Sequence, residues 1–488
     1  MKKIICNIII LLGILSCSDL EVVPDGVNTA DNLFQTEEDA EAAVNAVYSS
    51  LQTADIYNQF MEAIQSQGTD DAEWGFGRNT SNTNKLQMDK FQFDASSDLI
   101  LRFWKVHYVN INRANIVIKR IAEMNISEDN KNRFLGEAHF VRALMYFNLV
   151  RLYGAVPLVT EPTESLEGLN VARSSTDIVY ELIEEDLKFA ELNLPVQYGT
   201  ENYGRATKGA ALGLLAKVYL TNKQYVDAKN TAGDVMDLGI YSLWANYVDV
   251  FDIANENIKE SIFEIQFTST GDAINSVSSS FQGFFKPPAQ VLPPEPGEFA
   301  GYGDNPVTEN HFQIYNEGDE RRDVNVLYVP SAPSSIQFPY YVNKYQDPDA
   351  VSVQDGGNNY YILRYADILL MYAEAINAEE GPTIEAYSAF NKVRRRAFGF
   401  PVNVESLADL AAGLTKEQFQ DSLELERRKE FAFEGQRRFD LLRWGKLKEA
   451  VETQDPSITV QEKHNLFPIP EQEIIVNDLL AGDQNPGY

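Results

Sequence analysis

The hydrophobic positions of this chain follow a helical spacing over much of its length. Between Asp98 and Leu238, large apolar residues recur every three or four positions, which places them on one face of an α-helix. One of these runs stops at Gly154, a residue type that commonly ends a helix. The pattern predicts a series of helices here, and further helices over residues 363–378 and 384–398.

Small residues indicate how these helices would pack. The run AALGLLA at 210–216 places alanine and glycine where two helices would cross closely. An earlier helix is predicted to begin at Thr36, whose hydroxyl can cap it and which three acidic residues follow. A strict repeat of about 34 residues is lacking, but the arrangement is typical of tetratricopeptide-like pairs. We therefore predict a mainly α fold with little β, in which helix pairs form a superhelical scaffold.

Two polar stretches interrupt the helical pattern, over residues 54–97 and 268–361. Both carry isolated aromatic residues among many polar ones, and ordered loops of this length are commonly functional. Short strand-like runs at 261–267 and 336–342 predict a small amount of sheet. Because no Pro/Gly/Ser-rich linker divides the chain, we expect one domain over 33–488, with the two polar stretches as ligand-binding loops. The expected scaffold segments are 33–53, 98–260 and 362–450.

The first residues have the features of an export signal. Lys2 and Lys3 precede an apolar core that is too short to span a bilayer. The core ends in ILSC at 14–17, which looks like a lipobox, so we predict a signal peptide over 1–16 and acylation of Cys17. Residues 17–32 would then be a lipidated tether at a membrane surface. The alternative is an ordinary signal peptide in which Cys17 stands by accident.

The net charge and the motifs of the sequence argue against several classes of protein. The formal net charge of −31 argues against nucleic acid as a partner, since phosphates would be repelled. The sequence contains no motif of a metalloprotease, a serine hydrolase or a phosphate-binding loop. His107 and His139 fall within apolar helices, where packing is a commoner role than catalysis. We therefore predict no catalytic residue, no cofactor and no metal.

A carbohydrate-binding surface requires simpler chemical groups than an active site does. The C–H face of a sugar ring packs on a flat aromatic ring, and its hydroxyls need paired donors and acceptors. Trp74 lies among glycines and charges, with no helical or strand period to bury it. A structural alternative is that Trp74 pins its loop to the body. The candidate ligand residues in this loop are Asp71, Trp74, Phe76, Arg78 and Asn79.

A second candidate cluster lies in the later polar stretch. It consists of aromatic residues, some of which must be structural. We select Phe284, Tyr302 and Tyr340 as ligand candidates from a group that also contains Phe281 and Phe285.

The charged segment over residues 424–443 favours a structural role instead. Its helix, with a predicted capping box at Thr415, mixes apolar residues with both signs of charge. We expect its ions to satisfy one another in a partly buried network, and Trp444 to pack in the core. The charged residues of this expected network are Arg427, Arg428, Glu430, Glu434, Arg437, Arg438 and Asp440.

Four segments spread over most of the chain carry a family resemblance. They are GEAHFVRALMYFNLVRLYGAVPL at 136–158, LRYADILLMYAEA at 363–375, ERRKEFAFEGQRRFDLLRWG at 426–445, and NLFPIPEQEI with QNPGY between 465 and 488. Together and in this order they resemble the SusD/RagB family of outer-membrane nutrient-binding lipoproteins.

The resemblance implies a function as well as a tetratricopeptide-like fold. A member would sit on the outer membrane facing the cell exterior, bind an oligosaccharide or polysaccharide through its loops, and catalyse nothing. Its implied partner is a TonB-dependent, SusC-like barrel, which it would cap like a lid and to which it would deliver the glycan. The alternatives are a relative that carries peptides or another nutrient, a carbohydrate-active enzyme, and an adaptor that binds protein segments.

The identity of the glycan is less constrained. Aromatic platforms suit neutral glucans, and we favour a neutral β-glucan slightly. An anionic polysaccharide such as alginate would instead require Arg78, Lys85 or Lys286 near the platform, against the overall negative charge.

Overall fold

The structure is a computed structural model that describes residues 34–59, 61, 68–74, 83–165, 168–271, 277–332 and 339–488. These residues form sixteen α-helices and six short strands, so the predicted mainly α fold is confirmed. The helices are α1 (Glu37–Ser49), α2 (Thr83–Asp89), α3 (Asp98–Glu123), α4 (Glu128–Tyr153), α5 (Thr176–Asn193), α6 (Lys208–Thr221), α7 (Tyr225–Asp237), α8 (Phe281–Phe285), α9 (Glu309–Gln313), α10 (Arg321–Asn325), α11 (Tyr365–Glu380), α12 (Ile384–Ala397), α13 (Lys416–Glu430), α14 (Arg437–Trp444), α15 (Leu447–Gln454) and α16 (Glu471–Val476). The strands are β1 (Val156–Pro157), β2 (Arg173–Ser174), β3 (Ser261–Ile265), β4 (Val326–Tyr328), β5 (Tyr340–Val342) and β6 (Tyr360–Arg364).

Local signals set several helix ends. Thr36 caps α1 in a capping box with Asp39, and Thr415 does the same for α13 with Gln418. Helix α4 ends at Gly154, whose φ of +71° is a conformation that glycine adopts at little cost. These predicted boundaries are confirmed.

The scaffold is a series of helices in which each packs on its neighbours. Helix α4 lies between α3 and α5, α6 between α5 and α7, and α11 between α7 and α12. Gly213 of α6 allows a close approach, because a Cβ there would stand 3.2 Å from Ile368 and 3.3 Å from Leu363. The largest apolar cluster draws on residues from Ala40 to Leu480, so a common core connects the first and last helices. Among the helices described, none combines the length and apolar character of a membrane span.

The six strands form three antiparallel pairs: β1 with β2, β3 with β6, and β4 with β5. The strand-like run at 261–267 contains β3, as predicted. The prediction of helix from residue 363 is wrong at its start, because Tyr360–Arg364 is strand β6 and α11 begins at Tyr365. Pairing with β3, in which Ile265 faces Tyr360, overrides the helical tendency of the last strand residues.

The two polar stretches contain more regular structure than the sequence suggests. The first includes a π-helical turn at Ala54–Asn58 and helix α2, and the second includes α8, α9 and α10. Our description of both stretches as loops is therefore too simple. Irregular segments still separate these short helices, and aromatic residues from both stretches lie close together, as described below.

The charged segment has the structural role that we expected, but mostly with other partners. Glu430, at the end of α13, accepts hydrogen bonds from Arg364 and Arg396 at 2.5 Å each, and from Arg321 at 3.2 Å. Burial raises the pKa of Glu430, but these guanidinium groups outweigh it and lower the pKa to about 2. The prediction that residues 424–443 satisfy one another is thus largely wrong, although Arg427 does bind Asp440 at 2.9 Å.

Two other predictions concern aromatic rings. Trp444 packs against a core cluster, half-buried, and its indole N–H donates to Glu374 at 2.7 Å. His107 is fully buried, with Nδ1 2.7 Å from the Phe103 carbonyl oxygen, and burial lowers its pKa to about 3. Both residues therefore have packing roles, as expected.

Candidate functional site

The two polar stretches meet in a short antiparallel contact. Ala72 forms an isolated bridge with Val307, and the backbone N–H of Glu73 donates to the Pro306 carbonyl at 3.0 Å. The segment that leads to Trp74 is therefore aligned with the segment that contains the second aromatic cluster. The structure brings together two candidate regions that lie more than two hundred residues apart in the sequence.

Ion pairs from the C-terminal third hold the base of the Trp74 loop. Arg437 donates two hydrogen bonds to the Asp70 carboxylate, at 2.8 Å each. Arg428 donates to Asp71 at 2.7 Å, and the imidazole of His311 lies 2.9 Å from the same Asp71 oxygen. Because all these side chains are largely buried, the pairs fix the backbone from which Trp74 projects.

The burial of Asp71 corrects one prediction. Its side chain is 2% exposed and is already engaged by Arg428 and His311. Burial raises its pKa, but His311 and Arg428 outweigh that effect and hold the pKa below its ordinary value. Direct contact with a ligand does not fit this position, so we assign Asp71 to positioning the loop.

Trp74 and Phe284 both lie against one lysine. The Lys85 ammonium is 5.0 Å from the centre of the Trp74 ring and 4.8 Å from that of Phe284. Its charge is balanced by Asp304, at 3.0 Å. Trp74 is half-buried, and its indole nitrogen is covered, so the exposed part of the ring is carbon surface.

Tyr302 extends this group. Its ring centre lies 5.4 Å from that of Phe284, and its backbone N–H donates to the Gly283 carbonyl at 2.7 Å. The neighbouring Gly301 permits the fold, since a Cβ there would stand 2.1 Å from the Lys286 carbonyl oxygen. We call Trp74, Lys85, Phe284 and Tyr302 the Trp74 site.

The structure separates the other predicted aromatic residues from this site. Phe281 and Phe285 are each 2% exposed and belong to the core. Tyr340 lies instead with Phe312 and Tyr328, at ring-centre distances of 4.6 Å and 5.1 Å. Four predicted residues, Cys17, Phe76, Arg78 and Asn79, lie outside the described residues.

The lysines near the Trp74 site are paired with acids. Lys85 binds Asp304, as described above, and Lys286 binds Glu298 at 3.0 Å while facing Phe299 at 5.1 Å. The two described lysines that could attract an anionic polysaccharide are therefore neutralised by nearby carboxylates.

A large cavity lies away from the Trp74 site. A space of about 1180 Å³ lies beyond the end of the β4–β5 pair that is opposite Tyr328 and Tyr340, and Phe251 and Phe267 form part of its wall. Its polar lining is mainly acidic: Asp249, Asp252, Glu256, Asp323, Asp347 and Asp349. The sequence offers no signal for this cavity, because its walls come from three distant segments.

Comparison with known proteins identifies the relatives of the chain. The family model described as "SusD family" matches residues 328–488, and the one described as "Starch-binding associating with outer membrane" matches residues 20–220. SusD-like protein P25 of Formosa agariphila is 29% identical, over 100% of this chain and 99% of its own. The chain is therefore similar to SusD-family proteins over most of its length.

Solved SusD-like structures agree with this fold along nearly the whole chain. A SusD homologue from Bacteroides thetaiotaomicron superposes with a TM-score of 0.82 at 26% identity, covering 94% of this chain and 98% of its own. A structure described as a laminarin-binding SusD-like protein gives a TM-score of 0.80 at 27% identity, covering 93% and 100%. The tetratricopeptide-like scaffold is therefore shared with SusD-like proteins of known structure.

Sequence reasoning missed several residues of the Trp74 site and its supports. The sequence suggests Lys85 only as a cation for an anionic ligand. In the structure Lys85 lies against two aromatic rings and binds Asp304. Arg428 and Arg437 were assigned to a self-contained network, but they bind the base of the Trp74 loop. The high density of charged residues over 424–443 indicates buried ion pairs, but it does not indicate which residues are the partners.

Proposed function

We propose that this protein is a cell-surface lipoprotein that captures a neutral glycan at the Trp74 site. The observation that carries the proposal is the convergence of Trp74, Phe284 and Tyr302 from two distant loops onto one surface around Lys85. None of these rings is fully buried, although the neighbouring Phe281 and Phe285 are. Partial exposure of aromatic rings beside paired charges is typical of a binding surface.

The chemistry of this surface suits a sugar. The exposed carbon face of Trp74 can pack on the C–H groups of a pyranose ring. The ammonium of Lys85 and the carboxylate of Asp304 are paired and largely buried beside it, so we assign this ion pair to holding the rings in position. The site is open, so water competes for each hydroxyl and we expect modest affinity.

A neutral β-glucan is the proposed class of ligand. Lys85 is paired with Asp304 and Lys286 with Glu298, so both described lysines are poorly placed to attract a polyanion. A relative that is 27% identical is described as laminarin-binding, which supports the same class. Phe76, Arg78 and Asn79 remain proposed contributors from the part of the loop that follows Trp74.

The proposal also includes the cellular setting. Acylation at Cys17 would anchor the chain on the outer membrane, facing the exterior, and a TonB-dependent, SusC-like barrel would receive the glycan. A family model described as associating with the outer membrane supports this location. Delivery requires that closure over the barrel tighten contacts with bound ligand, because a ligand shifts an equilibrium only by its differential affinity. No reaction is proposed.

A panel of polysaccharides tests the function. The full chain, solubilised in detergent, would be run through native gels containing laminarin, starch or alginate. We expect laminarin to retard it most and alginate least. Equal or stronger retardation by alginate would contradict the neutral class, and lack of retardation by any of them would contradict glycan capture. Shortened laminarin chains after prolonged incubation would indicate an enzyme instead.

Co-purification tests the partner. The same protein, extracted gently from outer membranes, should bring with it a barrel of the SusC type in a constant ratio. Recovery of the lipoprotein without any barrel under conditions that preserve other membrane complexes would contradict the proposed delivery.

A further inference from the structure

A second group of aromatic rings lies on the surface near the Trp74 site. Phe312 from α9, Tyr328 from β4 and Tyr340 from β5 are mutually within 5.8 Å, measured between ring centres. Tyr340 stacks with both of its neighbours, inclined by 22° to Phe312 and by 27° to Tyr328, while Phe312 and Tyr328 are inclined by 39° to each other. We call these three residues the Tyr328 patch.

The patch is held in place by backbone pairing and is open to solvent. Tyr328 and Tyr340 are direct partners in the register of β4 and β5. Tyr328 is 48% exposed, and its two neighbours are half-buried. Burying a tyrosine ring would ordinarily stabilise the fold, so three rings that remain partly exposed on rigid elements indicate a surface with a ligand.

Backbone contacts connect the patch to the Trp74 site. Val307 bridges Ala72 on one side and donates its N–H to the Tyr340 carbonyl at 2.9 Å on the other. Ala72 and Tyr340 lie on opposite sides of Val307, and Trp74 is two residues beyond Ala72. At the usual spacings between and along strands, the backbones of Trp74 and Tyr340 are therefore roughly 12 Å apart. The two aromatic surfaces are therefore near neighbours on one rigid framework.

We infer that the Tyr328 patch is a second subsite for the same glycan chain, so that the protein selects chains long enough to lie on both surfaces. The inference rests on the proposed function. A short sugar would occupy the Trp74 site alone, while a longer chain would continue across Val307 and stack on Tyr328. Joining two weak contacts through one ligand raises affinity without any new chemistry, because the second contact becomes intramolecular.

The polar surroundings fit a neutral chain at this patch too. The guanidinium of Arg322 lies 5.6 Å from the centre of the Phe312 ring and is neutralised by Asp323, at 2.8 Å. Gln313 and Glu309, which are exposed and hydrogen-bonded to each other at 2.9 Å, border the patch on α9. Amide, carboxylate and guanidinium groups can all bind hydroxyls at the edge of a stacked sugar.

Calorimetric titration with laminari-oligosaccharides, from the disaccharide to the hexasaccharide, tests the inference on the detergent-solubilised full chain. For the unaltered protein, affinity should rise with chain length. Tyr328→Ala should lower hexasaccharide affinity by about three- to tenfold, the scale of one lost aromatic contact, and leave disaccharide affinity unchanged. Tyr328→Phe, which keeps the ring, should retain most of the affinity for the hexasaccharide.

The outcomes separate this inference from the proposed function. If the unaltered protein binds the series but Tyr328→Ala loses nothing, or loses the same factor for the shortest and longest chains, the second subsite is wrong and glycan capture stands. If the unaltered protein binds none of the series, the β-glucan proposal and the second subsite both fail. Tyr203→Ala removes another exposed tyrosine, 43% exposed and outside both surfaces, and should leave all affinities unchanged.

Discussion

Arg437 donates two hydrogen bonds to the carboxylate of Asp70, 367 positions earlier in the sequence, at 2.8 Å each. This pair connects the most strongly charged helix region of the protein to the loop that presents Trp74. Burial lowers the tendency of Asp70 to ionise, but Arg428 and Arg437 outweigh that effect and keep its pKa below the ordinary value. The charge cluster that looks self-sufficient in the sequence thus supports the candidate binding surface.

Removal of Arg437 should therefore affect both stability and binding. Among the described residues, Arg437→Ala leaves this buried carboxylate with Arg428 as its paired cation, at 3.2 Å. We expect the free energy of unfolding to fall by about 3 kcal/mol, near the low end for a broken buried pair, and retention on laminarin to weaken as the loop loosens. Chemical denaturation and native gels measure the two effects.

Lys188→Ala is the matched control for Arg437→Ala. It breaks a helical ion pair with Glu184 in which the lysine is 52% exposed, and it should cost less than 1 kcal/mol. Equal losses of stability in the two variants would show that the Asp70 pair has no special role.

Parts of the fold could be predicted because their causes are local. The spacing of apolar residues between Asp98 and Leu238 anticipates α3 to α7, and the side chains of Thr36 and Thr415 anticipate the starts of their helices. Such signals need only a few neighbouring residues. Strand β6 escaped prediction because its partner β3 lies about one hundred residues earlier.

The site could be predicted only in outline, for the same reason. Composition identified Trp74 as a ring without a helical or strand period to bury it, and placed Phe284 and Tyr302 in a cluster of which some members must be structural. It could not separate Phe281 and Phe285 from Phe284, because all three lie within one short helix and only the surrounding packing decides which is buried. The partners of Asp71 could not be predicted from the sequence, because both come from distant segments.

Trp74 offers the most direct test of the binding surface. Trp74→Ala removes a ring whose carbon face is exposed beside Lys85. We expect retention on laminarin to weaken by about 1–2 kcal/mol, the scale of a lost aromatic contact and its buried area. Affinity gel electrophoresis over a series of laminarin concentrations gives this value.

Trp244 provides the control for this variant. It is also half-buried and lies against a lysine, with the Lys259 ammonium 4.1 Å from its ring centre, but it belongs to another part of the surface. Trp244→Ala should leave retention unchanged. A folded Trp74→Ala protein that is retained as strongly as the unaltered one would remove Trp74 from the site.

The two cysteines allow a matched test of the membrane anchor. Cys17 is the proposed acylation site, whereas Cys6 lies within the predicted signal. Cys17→Ala should release the mature protein from the membrane fraction and abolish incorporation of labelled fatty acid, because acyl chains supply the anchoring energy. Cys6→Ala should change neither. Persistent labelling of the Cys17→Ala protein would contradict the proposed anchor.

Glu256, on the wall of the acidic cavity, should make stability depend on pH in an unusual direction. Burial, with a contribution from Glu264, raises its pKa from 4.5 to about 9. The folded protein therefore holds this proton at pH values where the unfolded chain has released it, so unfolding becomes easier as pH rises from about 5 to 9.

Glu256→Gln tests this pH dependence. The glutamine amide oxygen can still accept the hydrogen bond that the Asn359 backbone N–H donates to the Glu256 carboxyl group at 2.7 Å. We expect this variant to lose less stability than the unaltered protein over that range, as measured by chemical denaturation at pH 5, 7 and 9. Asp323→Asn, an exposed change in the same cavity, should follow the unaltered protein. Parallel pH profiles for all three proteins would show that Glu256 ionises normally in the folded state.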